Sequence, residues 1–223
     1  VFLQPGENEL RITAWHYGVD TLTHIAKPAG VRFEILRDNV VILASDESVD
    51  CRPNPNYIPH QCAWITPQLG LTFFYDSQVH DTAWTQAILT NGLGDTLAPR
   101  PIQKLRLKER MPIRAVQSGG FWVQGGKTAA ERMQHAALAA RPVPDLYPQR
   151  RCGETGVYII LDLGSETAGF LDLDLEVSER CRIEIGWGEH LEDGRCRTAV
   201  RNFACTYFAA PGVNQYLNPF RRL

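Results

Sequence analysis

Hydrophobic and polar positions alternate most cleanly between Gly156 and Asp193. Val157 to Leu161 is a continuous apolar run, as expected of a strand buried on both faces. Leu171, Leu173, Leu175 and Val177 then alternate with Asp172, Asp174 and Glu176. After a polar break at Ser178-Glu179-Arg180 the alternation resumes, with Cys181, Ile183, Ile185 and Trp187 facing one way and Arg182 and Glu184 the other. A period of two with one apolar face marks a half-buried antiparallel sheet. Two such strands around a short polar break predict a hairpin, and the apolar face needs a second layer, which predicts a β-sandwich.

Elsewhere the same pattern is shorter. Leu10, Ile12, Ala14 and His16 alternate with Arg11, Thr13, Trp15 and Tyr17, predicting a first strand that ends near Gly18. Residues 30–37 and 40–44 read as a hairpin turning at Asp38-Asn39, residues 69–75 as a strand, and Leu105 and Leu107 as an edge strand. Residues 45–67 carry four prolines and read as a long irregular loop. The sequence TAAERMQHAALAA at 128–140 predicts the one helix, with Thr128 as N-cap and Glu131 completing a capping box. Arg141-Pro142-Val143-Pro144 stops it, and with Pro148 forms a linker. The expected fold is therefore mainly β: two antiparallel β-sandwich units, jelly-roll-like, joined by a single helix. The first unit spans residues 1–140, with the linker helix at about 128–140. The second spans residues 150–223, and the boundary lies near 140–152.

Composition narrows the classes. A net charge of −2 and the absence of a basic stripe or basic-aromatic patch argue against a nucleic-acid partner. No apolar run reaches membrane-spanning length. The chain opens on Val1 and closes on Leu223 in segments that read as cuts inside folded structure, so it is expected to be a piece of a longer protein. Bacterial periplasmic, secreted and cytoplasmic locations all stay open. The six cysteines show no metal-ligand spacing and read as buried free thiols, with a Cys196–Cys205 bridge as an alternative in an oxidising compartment. The six histidines are never two or four residues apart, which predicts no metal site, although loop oxygens of Glu189, Glu192 and Asp193 leave calcium as an option.

Three chemistries have partial signatures in the sequence. Gly119-Gly120 and Gly125-Gly126-Lys127-Thr128 mimic a phosphate loop, but Phe121 stands where its first glycine belongs. Glycoside hydrolysis needs two carboxylates across the scissile bond. Asp46-Glu47 and Glu189/Glu192 are the nearest to such pairs, and both read as structural, so no catalytic residue is assigned. Sugar binding stacks a pyranose on a flat ring flanked by polar groups. Trp64 and Trp84 (near Tyr57 and Asp76) and Trp187 (beside Glu189) fit that description.

Several short segments, taken together, resemble one family. Residues 5–10 (PGENEL) are similar to a P-G-E-N-x-L turn, and residues 44–48 (ASDES) to S-D-x-S-W, with Val49 in place of the aromatic. Tyr75-Asp76-Ser77 is similar to Y-D-A-R, with Gln78 at the arginine position, and residues 97–102 (LAPRPI) to an L-x-P-R-x-I-P connector. D-x-G-x-E-x-x-G at 162–169 is followed by G-x-G-E-x-L-x-D-G at 186–194. In this order they resemble the β-sandwiches preceding the catalytic domain of bacterial α-L-rhamnosidases (family 78 glycoside hydrolases). The resemblance implies a parent enzyme that removes terminal L-rhamnose with inversion, using carboxylates in a helical (α/α) barrel. One helix cannot build such a barrel. The expectation is a non-catalytic fragment that packs against a catalytic domain outside this sequence and contacts rhamnose-containing glycans. An independent carbohydrate-binding module is the alternative.

Overall fold

The computed structural model describes residues 4–79, 82–90, 99, 101–103, 106 and 110–223. In chain order its strands are β1 (Glu34–Arg37), β2 (Val40–Ala44), β3 (Asp50–Cys51), β4 (Trp64–Thr66), β5 (Gly70–Leu71), β6 (Phe74–Asp76), β7 (Thr85–Gln86), β8 (Arg114–Trp122), β9 (Ala137–Ala140), β10 (Gly156–Asp162), β11 (Phe170–Val177), β12 (Cys181–Gly186), β13 (Leu191–Glu192), β14 (Arg195–Cys196), β15 (Ala204–Ala209) and β16 (Gly212–Arg222). The helix α1 spans Ala129–His135. The protein is mainly β, built from sheets that are antiparallel except where β6 joins β15, with no closed barrel among the described residues. It divides into two compact units, residues 1–55 with 81–99 and residues 56–80 with 100–223.

The first unit contains two strand pairs. In β1–β2, Asp38 and Asn39 both adopt positive φ (51° and 64°), the left-handed geometry that a two-residue hairpin turn demands and that these residue types tolerate. Short strands β3 and β7 pair as Asp50↔Gln86 and Cys51↔Thr85. The strand expected before Gly18 does not form. Instead of alternating, the side chains of residues 15–17 gather on the loop that follows: His16 meets His24 edge-on at 4.9 Å, and Tyr17 meets His24 at 5.5 Å. The edge strand expected at Leu105 and Leu107 lies outside the described residues.

The second unit holds the core. β15 runs between β12, to which it is antiparallel, and β6, to which it is parallel. Ala204, Cys205, Thr206, Tyr207 and Ala209 of β15 are all buried. Beside it four tyrosines close on one another. Tyr75 stacks on Tyr207 with ring centroids 5.5 Å apart, and Tyr216 lies 4.4 Å from Tyr75 and 5.0 Å from Tyr207. Tyr57 meets Tyr75 edge-on at 4.9 Å. Three of the four hydroxyls are paired: Tyr57 and Tyr216 share a hydrogen bond of 3.2 Å, buried Asn218 donates to Tyr216 at 2.7 Å, and Tyr207 donates to Asn214 at 3.1 Å. Packed phenols that keep their polar tips paired add both apolar area and specificity.

Two expectations are corrected here. β11 and β12 form where expected, and β11 keeps its alternation, but they are not a hairpin: β11 pairs with β16, and β12 with β15. The Ser178–Arg180 break instead crosses between sheets. Arg180 anchors it, pairing with Asp76 and laying its guanidinium 4.8 Å over the Phe208 ring. Second, the expected helix at 128–140 stops at His135, and Ala137–Ala140 become β9 against β8. The unpaired ladder of β8 offers these residues hydrogen bonds and overrides alanine's helix preference. The 140–152 stretch lies within the second compact unit. β8 pairs with both β9 and β10, Arg141 bridges Glu154 at 3.3 Å, and Asp145 donates its N–H to buried Ser118 at 2.9 Å. β10 is also more open than its apolar run suggests, with Ile159 and Leu161 exposed.

The tyrosine cluster gives a direct test. Burial pushes the phenols of Tyr57, Tyr75, Tyr207 and Tyr216 upward, Tyr216 furthest. A raised folded-state value means that the cluster's stabilisation is complete below the ordinary phenol range and lost as pH rises through the folded values. Of the seven tyrosines, these four should ionise only as the fold opens in an alkaline absorbance titration. Tyr216→Phe, which removes the hydroxyl that accepts the Asn218 N–H and bonds to Tyr57, should cost about 1–3 kcal/mol in urea denaturation.

Candidate functional site

Where the sequence carries its most recognisable motifs, the polar atoms are spent on turns. Asn8 accepts the Gln4 N–H at 2.8 Å and donates to the carbonyls of Gln4 and Gly6. Asp46 accepts both the N–H (2.8 Å) and the hydroxyl (2.6 Å) of Ser48. Asp76 accepts the Gln78 N–H at 3.0 Å. Asp162 accepts the Gly164 N–H at 2.8 Å where Gly164 turns left-handed at φ 77°. Asp193 and Gly194 both take positive φ and form the two-residue turn between β13 and β14. Asn8, Asp46, Asp76 and Asp162 thus close their own backbone through side-chain bonds, as Asx-type turns do. The Ser48 contacts hold the Asp46 carboxyl below its usual range, and the Gly164 N–H, helped by Arg114, does the same for Asp162.

The residues expected to meet sugar are dispersed. Trp84 belongs to the first unit and carries the Arg52 guanidinium 4.5 Å above its ring. Trp64, Asp76, Trp187 and Glu189 belong to the second. Trp64 is 40% exposed on β4, and its carbonyl accepts from Asn202 at 2.8 Å. Trp187 packs on Phe203, centroids 5.9 Å apart, and is half-buried. Consecutive residues Asn202 and Phe203 thus bind the strand of one tryptophan and the ring of the other. Asp76 is committed to Arg180 and its own turn, while Glu189 stands exposed after β12.

The second unit also contains a cleft of about 230 Å³ that sequence reasoning missed. One wall is the 3₁₀ turn Pro59–Gln61 with Cys62 and Ala63; another is Thr72 to Phe74; the third is Lys127 to Ala129 with Arg132; Ala204 and Thr206 of β15 complete it. The walls are pinned by backbone bonds. Ala63 and Thr72 exchange two bonds of 2.8 Å, one through the Thr72 hydroxyl, Ile58 N–H reaches Phe74 at 2.9 Å, and Thr206 N–H reaches Phe73 at 3.2 Å. The helix side is fixed by the capping box: Thr128 accepts from Glu131 N–H at 3.2 Å, while Glu131 accepts from the N–H groups of Lys127 (2.7 Å) and Thr128 (3.3 Å). The Lys127 N–H contributes most to holding Glu131 below the usual carboxylate range. Arg132 donates to Glu184 of β12 at 2.6 Å and to the Lys127 carbonyl at 2.9 Å, tying the helix to the sheet. Met133, packed on Ala129, Ala130 and Ala204, fills the space that Gly186 leaves by having no Cβ.

Gly119 and Gly120, weighed as a phosphate loop, lie inside β8. A Cβ on Gly119 would sit 2.0 Å from the Ala139 carbonyl oxygen. All six cysteines are free thiols, which corrects the Cys196–Cys205 alternative, and Cys51 and Cys152 are exposed rather than buried. Burial pushes the Cys62 thiol of the cleft upward, which keeps it protonated and unreactive. Among the described residues no group of three or more His, Cys, Asp or Glu could hold a metal ion, and no helix is long and apolar enough to cross a membrane.

Comparison with family models, with curated proteins and with solved structures gives no match.

Replacing Thr128 by Ala removes the cap and should cost about 1 kcal/mol in chemical denaturation. Glu131, its value lowered in the fold, stabilises at neutral pH and loses that contribution as pH falls below the ordinary 4.5. Glu131→Gln should therefore flatten the acid limb of the stability profile. Arg132→Ala, leaving the largely buried Glu184 with only its longer contact to Arg182 at 3.4 Å, should cost about 1–3 kcal/mol, and the Arg132→Ala/Glu184→Ala pair less than the sum of its singles.

Proposed function

We propose that this chain is a non-catalytic β module of an α-L-rhamnosidase-like glycoside hydrolase, one that supports a catalytic domain and contacts carbohydrate. One observation carries the non-catalytic part of the reading. The acidic and amide residues that stand out in the sequence, Asn8, Asp46, Asp76, Asp162 and Asp193, build turns. A hydrolase needs two carboxylates facing a common space, and side chains committed to their own backbone are not free to do that work. The order of the motifs supports the family, and the mainly-β architecture agrees with a module of this kind. The exposed Trp64 ring supports carbohydrate contact, because a flat apolar face flanked by hydrogen-bonding groups is what a pyranose stacks upon. That ring also favours the second reading, an independent carbohydrate-binding module.

Calorimetric titration of the chain with L-rhamnose and rhamnose-containing oligosaccharides, with and without calcium, separates these. The reading predicts saturable binding, lost or strongly weakened in Trp64→Ala or Trp187→Ala, and no release of aryl alcohol from an aryl α-L-rhamnoside. Hydrolysis by the chain alone would overturn the non-catalytic assignment. Flat traces on folded protein would remove carbohydrate contact and leave only support of the catalytic domain.

A further inference from the structure

We infer that the cleft between residues 60–63, 72–74, 127–132 and 204–206 binds a small molecule through an oxyanion, a phosphate or carboxylate group. This ligand is separate from the carbohydrate, whose contact falls to tryptophans outside the cleft. At about 230 Å³ the cleft lies below the roughly 300–1,000 Å³ of drug-sized pockets, so what it takes is small.

The charge of the lining has one sign. Lys127, Arg132 and His60 line the cleft, and no aspartate or glutamate does. Two carboxylates on the elements that build it are engaged elsewhere: Glu131 accepts the N–H groups of Lys127 and Thr128, and Glu184 is held by Arg132 and Arg182. Arg132 is largely neutralised by that pairing, although a guanidinium so bonded keeps N–H donors to spare. Lys127 differs. Its side chain is exposed and, among the described residues, forms no ion pair.

The back wall adds an independent observation. Side chains alternate along β15, so Thr206 shares with Ala204 the face that α1 covers, while Tyr207 points into the tyrosine cluster. Thr206 is only 3% exposed, yet among the described residues its hydroxyl makes no hydrogen bond. Buried hydroxyls are normally paired, and this residue borders the cleft, where a ligand oxygen would satisfy it. Thr72 brings a second hydroxyl, which accepts the Ala63 N–H and keeps its own proton to donate. An ammonium, a guanidinium and two hydroxyls are all donors, and an oxyanion is the group that accepts from all of them at once. Backbone bonds and the capping box hold the walls in place before a ligand arrives, which lowers the ordering cost of binding.

The test is an amide-resolved NMR titration of the whole chain with inorganic phosphate and, separately, acetate, with methyl α-L-rhamnopyranoside as the neutral control. Saturable shifts are expected at Thr72, Lys127 to Ala129 and Thr206 with at least one of the two anions, and the anion that saturates names the group. Affinity should fall at least tenfold in Lys127→Ala, whose backbone keeps its bonds to Glu131 and Arg132. It should fall about threefold or more in Thr206→Val, which leaves every charge in place and so separates a built site from general attraction to a basic surface. Thermal melts show whether each variant is folded, and the exposed Lys127→Ala carries the test if Thr206→Val is not. Absence of saturable shifts at the cleft with both anions would overturn the site. Saturation that survives unchanged in the folded variants would do the same, marking an adventitious ion only. Equal shifts at the cleft with the neutral sugar would overturn the ligand class. Sugar-induced shifts confined to the surroundings of the tryptophans would agree with two separate sites.

Discussion

The second unit depends on the near-complete burial of β15. Of this strand only Phe208 is partly open to solvent: β12 and β6 occupy its two edges, α1 packs across Ala204, and Tyr75 stacks on Tyr207. A strand so enclosed must satisfy every polar group internally or pay for stranding it. The arrangement meets that demand along its length. Thr206 takes its place in the ladder, the Tyr207 hydroxyl reaches Asn214, and Ala210 beyond the strand end donates to Asn214 and Ser77. Ser77 in turn donates to the Phe208 carbonyl, so the chain end of β6 and the turn into β16 are locked by the same few polar atoms. The cleft is a consequence. Its back wall is the N-terminal half of β15, and its other walls are the segments that had to come together to cover that strand.

The local chemistry of the fold was legible in the sequence wherever a single residue type has one efficient use. Asp38-Asn39 turned as expected, because few other pairs accept two successive left-handed conformations. The capping box at Thr128 and Glu131 formed, and the Leu171 to Val177 alternation survived as a half-buried strand. What could not be read was which strand met which. The short break at Ser178-Glu179-Arg180 looks like a hairpin turn, and only the Arg180 anchor, on Phe208 and on Asp76 104 residues away, explains why the chain crosses instead. β8 was invisible for a different reason. Its buried centre is Ser118-Gly119-Gly120, chosen so that Ala139 and Glu154 can approach the backbone, and no hydrophobic pattern announces such a strand. Ala137–Ala140 carry helical propensity and pair with it all the same.

The site divides along the same line. Aromatic rings that could stack on sugar are conspicuous in a sequence, and Trp64, Trp84 and Trp187 drew attention for that reason. A cleft assembled from four separated segments leaves no such mark, because Gln61, Thr72, Lys127 and Thr206 are unremarkable until β15 brings their segments together. The motifs at Asp46, Asp76, Asp162 and Asp193 carry a further lesson. Their spacing is that of residues closing turns, so they speak first about backbone geometry and only through it about the kind of protein that uses that geometry.

The most direct measurement is a crystal structure of the chain soaked with methyl α-L-rhamnopyranoside. The account predicts one ring bound at saturation, stacked on Trp64 or Trp187. A crystal with no bound sugar at saturation, or with a ring seated away from both tryptophans, would contradict it.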